Sequence, residues 1–216
     1  MRQAGRAQLF DLGMRPANSS PRHWLTDNRW WLINVEFQAS SWSVGSYLNV
    51  GVQYLWTVTN HRSFGHGNPR VSVPEHGQFV ELAGPEELVH ANAMDIARAA
   101  RNAVLALTEN TVDERTHLSR LSRQTGSGSW QGLDVAIAKG LLGQRRQAAD
   151  ALHALVHRLD PAIAWQEQLA EDSEYLAELV FSPEQFRSEM HNRVMLTRKQ
   201  LKLPVMDDRT TPYLLP

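Results

Sequence analysis

The chain has 216 residues, 42% of them apolar and 21% charged, with a formal net charge of −1. This is the composition of an ordinary soluble globular protein, long enough for one large domain or two small ones. The balanced charge excludes an overall pull toward nucleic acid or an anionic membrane, and the lack of cysteine excludes a disulfide framework, a thiolate metal site and a cysteine nucleophile.

The opening residues, MRQAGRAQLF, lack the apolar core of a signal peptide. No apolar run approaches the roughly 20 residues that span a bilayer. Without cysteines, the expected compartment is a reducing cytoplasm. Residues 1–80 carry seven basic and four acidic residues, a balance of +3. Residues 81–216 carry fifteen and nineteen, a balance of −4. That asymmetry is too weak to name a partner.

Residues 2–12 read as a short helix with Ala7, Leu9 and Phe10 as apolar contacts, ended by Gly13. A short strand is expected near Arg22–Leu25, after the loop 16–21. From Trp30 the pattern alternates with period two, the mark of a half-buried strand. Trp31, Ile33, Val35, Phe37 and Ala39 share one face. After a turn at Ser40–Gly45, Ser46, Leu48, Val50, Val52, Tyr54 and Trp56 share a face of the next strand. The two faces are expected to coincide as the core side of an antiparallel hairpin. A lone ribbon is marginal, so further strands (Val71–Val73 and Gln78–Leu82) and a covering helix are required. Residues 60–70, NHRSFGHGNPR, read as a loop.

From residue 84 the period becomes helical. Gly84-Pro85-Glu86-Glu87 is a helix start, with proline at the first position and acids at the positive end of the dipole. Val89, Ala93, Ile96, Ala100, Val104 and Leu107 form a buried stripe. A shorter helix is expected at Val112–Arg123, then a flexible break, TGSGS, at 125–129. Residues 130–142 and 145–159 read as a helical hairpin hinged at Gly143. A third helix spans about 162–180, with Trp165, Leu169, Leu176 and Val180 on its apolar side. Ser182-Pro183-Glu184-Gln185 starts a last helix that buries Phe186, Met190, Val194, Thr197 and Leu201. The tail after Pro204 is expected to be loosely held.

Gln38-Ala39-Ser40 and Tyr47-Leu48-Asn49-Val50-Gly51 form a Q-x-S … aromatic-x-N-x-G pattern, preceded by a helix ending at Leu12-Gly13-Met14. In this the chain resembles a family of bacterial proteins catalogued as a domain of unknown function, over about residues 5–60 and with Arg70-Val71 as a further point of likeness. The resemblance implies an antiparallel sheet with flanking helices and implies no activity. Residues 130–160 also look loosely like a tetratricopeptide unit (Trp130, Leu133, Gly143, Ala148). No second copy follows at the 34-residue period, which favours one hairpin over a solenoid.

The expected architecture is α+β: an N-terminal antiparallel sheet with a covering helix over residues 1–124, then a helical subdomain at 125–216 packed on it, with the whole still possible as one domain. The candidate site is the non-core face of the hairpin. There Asn34, Glu36, Gln38, Asn49 and Gln53 form a polar row, with Ser40 and Tyr47 at its end and Trp30 and Leu55 at its margins. Such a mixed surface suits a ligand or partner. The plainer reading is the wet side of a one-sided sheet. His61 and His66, with His76, lie in the loop region after the hairpin and could do acid–base work.

His153 and His157 have the i, i+4 spacing of a zinc pair but enclose Ala154-Leu155-Val156 rather than a catalytic acid. The Glu-x-x-His steps at Glu87–His90 and Glu114–His117 are what chance supplies in a chain with nine histidines. No metal and no cofactor are expected. Glu167, Glu171, Glu174 and Glu178 form an acidic helical stripe, usually a solvated face and otherwise a contact for a basic partner. Scattered arginines disfavour nucleic acid.

With no catalytic constellation assembled, the leading expectation is a non-enzymatic bacterial binding or accessory protein. Its partner would be another protein or a small polar ligand, and by analogy with small bacterial α+β domains its specific form is an immunity protein. The alternatives are a small-ligand enzyme using Glu36 with His61 or His66 between the sheet and loop 60–76, and a helical scaffold built on the C-terminal half.

Overall fold

The structure is a computed structural model, and it describes residues 1–17, 20–109, 113–126 and 128–205. The expectation of a loosely held tail after Pro204 falls almost wholly outside the described residues, as does part of the 125–129 break. The fold is α+β, as expected. The chain forms two compact units. Met1–Tyr54 with His61–Glu109 makes the first, and Leu55–Asn60 with Asn110–Pro216 makes the second. In this grouping the helix Glu114–Leu121 and the segment Leu55–Asn60 lie with the C-terminal helices.

The first unit opens with α1 (Arg2–Leu9) and a single 3-10 turn at Phe10–Leu12. Gly13 ends the turn with a φ of 77°, the left-handed conformation expected of a helix-terminating glycine. The buried residues of α1 are Ala4, Gly5 and Leu9, while Ala7 and Phe10 are exposed. Gly5 faces the Trp24 indole, where a Cβ would come within 2.8 Å of the ring. That close approach decides which side of α1 turns inward.

Six antiparallel strands follow: β1 (Arg15–Pro16), β2 (His23–Asp27), β3 (Trp31–Ala39), β4 (Gly45–Tyr54), β5 (His66–Asn68) and β6 (Phe79–Glu81). They lie in the order β1-β2-β3-β4. The far edge of β4 is shared, with β5 on Val50–Val52 and β6 on Gly45–Tyr47. The hairpin register pairs Trp31 with Tyr54, Ile33 with Val52, Val35 with Val50, Phe37 with Leu48 and Ala39 with Ser46. Directly opposed residues point to the same side, so the two apolar stripes coincide as the alternation requires. β4 ends at Tyr54, so Trp56 is not part of it.

Two expectations about strands need correcting. β5 lies inside the segment read as a loop, and Val71–Val73 forms no strand but a single bridge from Val73 to Gly77. The cause is glycine pairing. Gly67 sits directly opposite Gly51, so close that a Cβ on Gly67 would lie 2.3 Å from the Gly51 Cα. Glycines that look like loop punctuation here permit close backbone pairing.

The helix α2 (Glu86–Thr108) packs on β4, β6 and α1. Pro85 is its N-cap rather than its first residue. Ala93, Ile96, Ala97, Ala100 and Val104 are buried. Polar ties fix its position: Asn92 Nδ2 donates to the Glu81 carbonyl at 2.9 Å, and Arg101 Nη1 donates to the Gln8 carbonyl at 2.8 Å and Asp11 Oδ1 at 2.6 Å.

The second unit is helical: α3 (Glu114–Leu121), α4 (Ser129–Leu141), α5 (Arg145–Val156), α6 (Ala164–Leu179) and α7 (Pro183–Gln200). The α4–α5 hairpin turns at Gly143, whose φ is 78°. α6 packs on α5 and α7, and α7 also on α4. At that last contact a Cβ on Gly140 would meet the Phe186 ring at 2.8 Å. On α6 the buried residues are Leu169, Ser173, Leu176 and Ala177, and Trp165 is exposed rather than apolar core. α7 buries Phe186, Met190, Val194 and Thr197 as its period requires. No helix among the described residues is long and apolar enough to cross a membrane.

Leu55 and Trp56 are fully buried in this unit. Trp56 Nε1 donates to Asp134 Oδ1 on α4 at 2.6 Å, and Thr57 Oγ1 donates to the same oxygen at 3.2 Å. Asp134 is itself buried. Replacing Asp134 by alanine strips that acceptor from a buried indole N–H, so urea unfolding of Asp134→Ala is expected to show a loss of about 2 kcal/mol. An unchanged midpoint would mean that the anchor contributes little.

Candidate functional site

The polar row of the hairpin is not a wet surface. Asn34, Asn49 and Gln53 are only 2%, 6% and 3% exposed. The chain after β4 crosses this side of the sheet, and the amides bind its backbone. Asn34 Nδ2 donates to the Ser63 carbonyl at 3.1 Å, and Gln53 Nε2 donates to the His61 carbonyl at 3.0 Å. Gln53 Oε1 accepts from the Ser63 amide at 3.1 Å and from Asn34 Nδ2 at 3.3 Å. Asn49 Oδ1 accepts from the Arg70 amide at 3.0 Å. Side-chain amides suit this task because each offers a donor and an acceptor to a main chain that no strand pairs. Trp30 and Leu55, expected at the margin of the face, are both fully buried, and Trp30 stacks on Tyr54 at 5.9 Å.

What remains open is the end of the hairpin nearest its turn. Across the strands, His23 pairs with Glu36 and Glu36 with Asn49, so the three side chains lie in one row. His23 Nε2 donates to Glu36 Oε1 at 2.7 Å, and Asn49 Nδ2 donates to Glu36 Oε2 at 2.9 Å and to Gln38 Oε1 at 3.0 Å. In the next row Gln38 opposes Tyr47, and the Tyr47 ring meets Phe79 of β6 at 5.1 Å. The Arg70 guanidinium stacks 3.5 Å above the Tyr47 ring. Arg70 has a φ of 61°, and its Nη1 is buried without a hydrogen-bond partner.

The hydrogen bond from His23 holds the Glu36 carboxyl below its ordinary 4.5, helped by the Asn49 amide and the Arg70 charge against the opposing effect of burial. Glu36 is thus a fixed anion with both oxygens engaged. A carboxylate of lowered pKa is a weak base at neutral pH, which does not suit the acid–base role. An ionised carboxylate only accepts, so His23 carries its proton on Nε2.

The turn itself is built. Ser40 Oγ accepts from the amides of Trp42 and Ser43 at 3.1 and 3.4 Å, and the Ser40 amide donates to the Gly45 carbonyl at 3.2 Å. This frame holds Trp42 in water, 92% exposed, with Val44 also exposed.

The structure therefore brings together Glu36, Gln38, Ser40, Tyr47 and Asn49, assigns Asn34 and Gln53 to buried support, and separates the histidines. His66 opposes Val52 on the apolar side of the sheet and meets the Tyr54 ring edge-on at 4.9 Å. It lies on the opposite side from Glu36. His61 is exposed and offers its main-chain carbonyl to Gln53. The histidine that meets Glu36 is His23, which sequence reasoning missed. Continuing the alternation one strand back, across β2, was the signal that could have found it. Trp42 was also missed, although a tryptophan flanked by serines in a turn has no core to join. Among the described residues no three histidine, aspartate or glutamate side chains group as a metal site.

No family model, curated protein or solved structure matches this chain.

Gln53→Leu deletes two of the three side-chain anchors of the 61–63 segment, leaving the bond from Asn34 to the Ser63 carbonyl. It is expected to cost about 1–3 kcal/mol and to speed amide exchange at Ser63 before the sheet opens. Because the pKa of Glu36 is lowered on folding, the stability it adds is present above its ordinary value and is lost as pH falls through the folded one. Thermal melts of wild type and Glu36→Gln should differ by a constant amount near neutrality and converge at acid pH; parallel curves down to pH about 3 would rule the linkage out.

Proposed function

We propose that this chain is a non-enzymatic accessory protein that binds another protein through the turn end of its β3–β4 hairpin, with an immunity-type role as the specific form. The observation that carries the reading is Trp42, an indole held almost wholly in solvent by a hydrogen-bonded turn. Tryptophan, tyrosine and arginine dominate the energetics of protein interfaces. Here Trp42 stands at the turn, and Tyr47 with its stacked Arg70 belongs to the second pair from the turn, opposite Gln38. The Nη1 of Arg70 has no partner among the described residues and is a donor that a protein acceptor could take. The supporting amides are pinned to backbone, so the patch is rigid before a partner arrives, which lowers the entropy lost on binding.

The small-ligand enzyme reading has less support. Glu36 is an immobilised anion, and its histidine partner is neither His61 nor His66.

The test is affinity capture from the native host with the full chain as bait. Wild type is expected to retain one specific protein, and Trp42→Ser and Arg70→Glu to lose it by at least about tenfold in affinity. The exposed Trp42 can be replaced without loss of melting temperature, so failure to bind will not be failure to fold. Equal capture by Trp42→Ser, or no specific partner for wild type, would overturn the reading. For the immunity form, co-expression should neutralise a toxic activity of the captured partner.

A further inference from the structure

The second unit holds a cleft of about 480 Å³ that the hairpin site does not use. Its apolar walls are Val58, Trp130, Leu133, Leu169 and Leu196. One polar wall is an ion cluster between α6 and α7. Arg193 Nη1 donates to Asp172 Oδ2 at 2.7 Å, its Nη2 to Asp172 Oδ1 at 2.5 Å, and its Nε to Glu189 Oε1 at 2.7 Å. One cation thus faces two carboxylates, leaving a net charge of −1. Both oxygens of Asp172 are taken by the guanidinium, whereas Glu189 Oε2 accepts from no donor among the described residues.

Trp130 adds an aromatic wall that water does not reward. Its ring stacks on Trp165 at 6.0 Å and 24°, yet the two are 45% and 47% exposed. An indole beside a net-negative wall, here Trp130 backed by its stack on Trp165, is the chemistry that receives an ammonium or guanidinium group on an apolar stem: the ring face attracts the cation, the apolar walls take the stem, and the free carboxylate oxygen takes a donor. The charge continues beyond the cleft. α6 carries Glu167, Glu171, Asp172, Glu174 and Glu178 and no lysine or arginine. A single small amine would fill the cleft and ignore that stripe. A peptide with several basic residues would use both.

We propose that this cleft is a docking site for a basic peptide segment, with one lysine or arginine side chain inserted between Trp130 and Glu189 and further basic residues along α6.

The experiment is fluorescence anisotropy of the full chain with a fluorescein-labelled octapeptide of alternating lysine and glycine, at about 0.15 M salt. The expected result is saturable binding, weakened about tenfold by Trp130→Ala and several-fold by Glu189→Gln, with Trp130→Phe restoring most of it. Glu86→Gln, at an exposed acid of α2 that belongs to neither the cleft nor the α6 stripe, should change affinity less than about twofold. Circular dichroism checks that Trp130→Ala keeps its helices, as the exposure of the ring leads one to expect. The proposal is overturned if the peptide does not bind, if Trp130→Ala binds like wild type, or if a glutamate–glycine peptide binds equally well. It is also overturned if 1,5-diaminopentane displaces the label at the same concentration as unlabelled peptide, because the site would then take a small amine.

Discussion

Three side-chain amides buried on one side of a sheet require hydrogen-bond partners, and this requirement governs the course of the chain from His61 to Val71. A buried amide group left unpaired costs on the order of 1–3 kcal/mol. Asn34 Nδ2, Asn49 Oδ1 and both ends of Gln53 take main-chain groups of His61, Ser63 and Arg70, and of the three amides Asn34 alone keeps an oxygen that no donor among the described residues reaches. The strand ladder continues the same logic, since the Val71 amide donates to the Leu48 carbonyl at 2.8 Å. The segment that crosses the sheet is therefore held through its backbone. Its side chains stay free to vary in chemistry, and the position of Arg70 over Tyr47 follows from where Asn49 pins the Arg70 amide.

The residues of the Q-x-S … aromatic-x-N-x-G pattern each have a physical task in this arrangement. Gln38 shares the Asn49 amide with Glu36. Ser40 closes the turn, Tyr47 carries the Arg70 guanidinium, and Asn49 fixes the Arg70 backbone. Gly51 leaves room for the crossing segment, because a Cβ there would stand 3.1 Å from Phe64. The pattern is thus the signature of a hairpin that clasps a returning loop.

Whatever follows a simple period was legible from the residues. The register of β3 and β4 emerges from alternation because one slip would turn Ile33, Val35 and Phe37 away from the core, and α2 and α7 emerge from their stripes of buried residues every three or four positions. Where two opposite causes leave the same mark, the reading failed. Glycine at Gly67 serves a strand and not a loop, and polar residues at Asn34 and Gln53 signal buried pairing as readily as solvent. Trp165 shows the converse: its helical spacing agrees with an apolar side, yet α6 turns Leu169 and Leu176 inward and leaves the indole outside. In the site, Glu36, Gln38, Tyr47 and Asn49 could be grouped from register alone. His23 and Arg70 could not, since their arrival depends on β2 pairing and on the crossing segment.

The seven tryptophans divide by task. Trp24, Trp30, Trp31 and Trp56 are buried, and each large indole removed from water contributes to the cores that hold the two units. Trp42, Trp130 and Trp165 are not spent this way. Folding alone would favour either burying such a ring or replacing it, since an exposed indole adds no core and raises the hazard of indiscriminate association. Each of the three sits on a defined support: Trp42 on a turn closed by Ser40, Trp165 on α6, which the Asp172–Arg193–Glu189 cluster ties to α7, and Trp130 at the start of α4, stacked on Trp165. A backbone fixed before binding favours recognition, because the entropy of ordering the main chain at that point has already been lost in folding. On that ground we propose that the exposed indoles, rather than the histidines, mark where this molecule meets others.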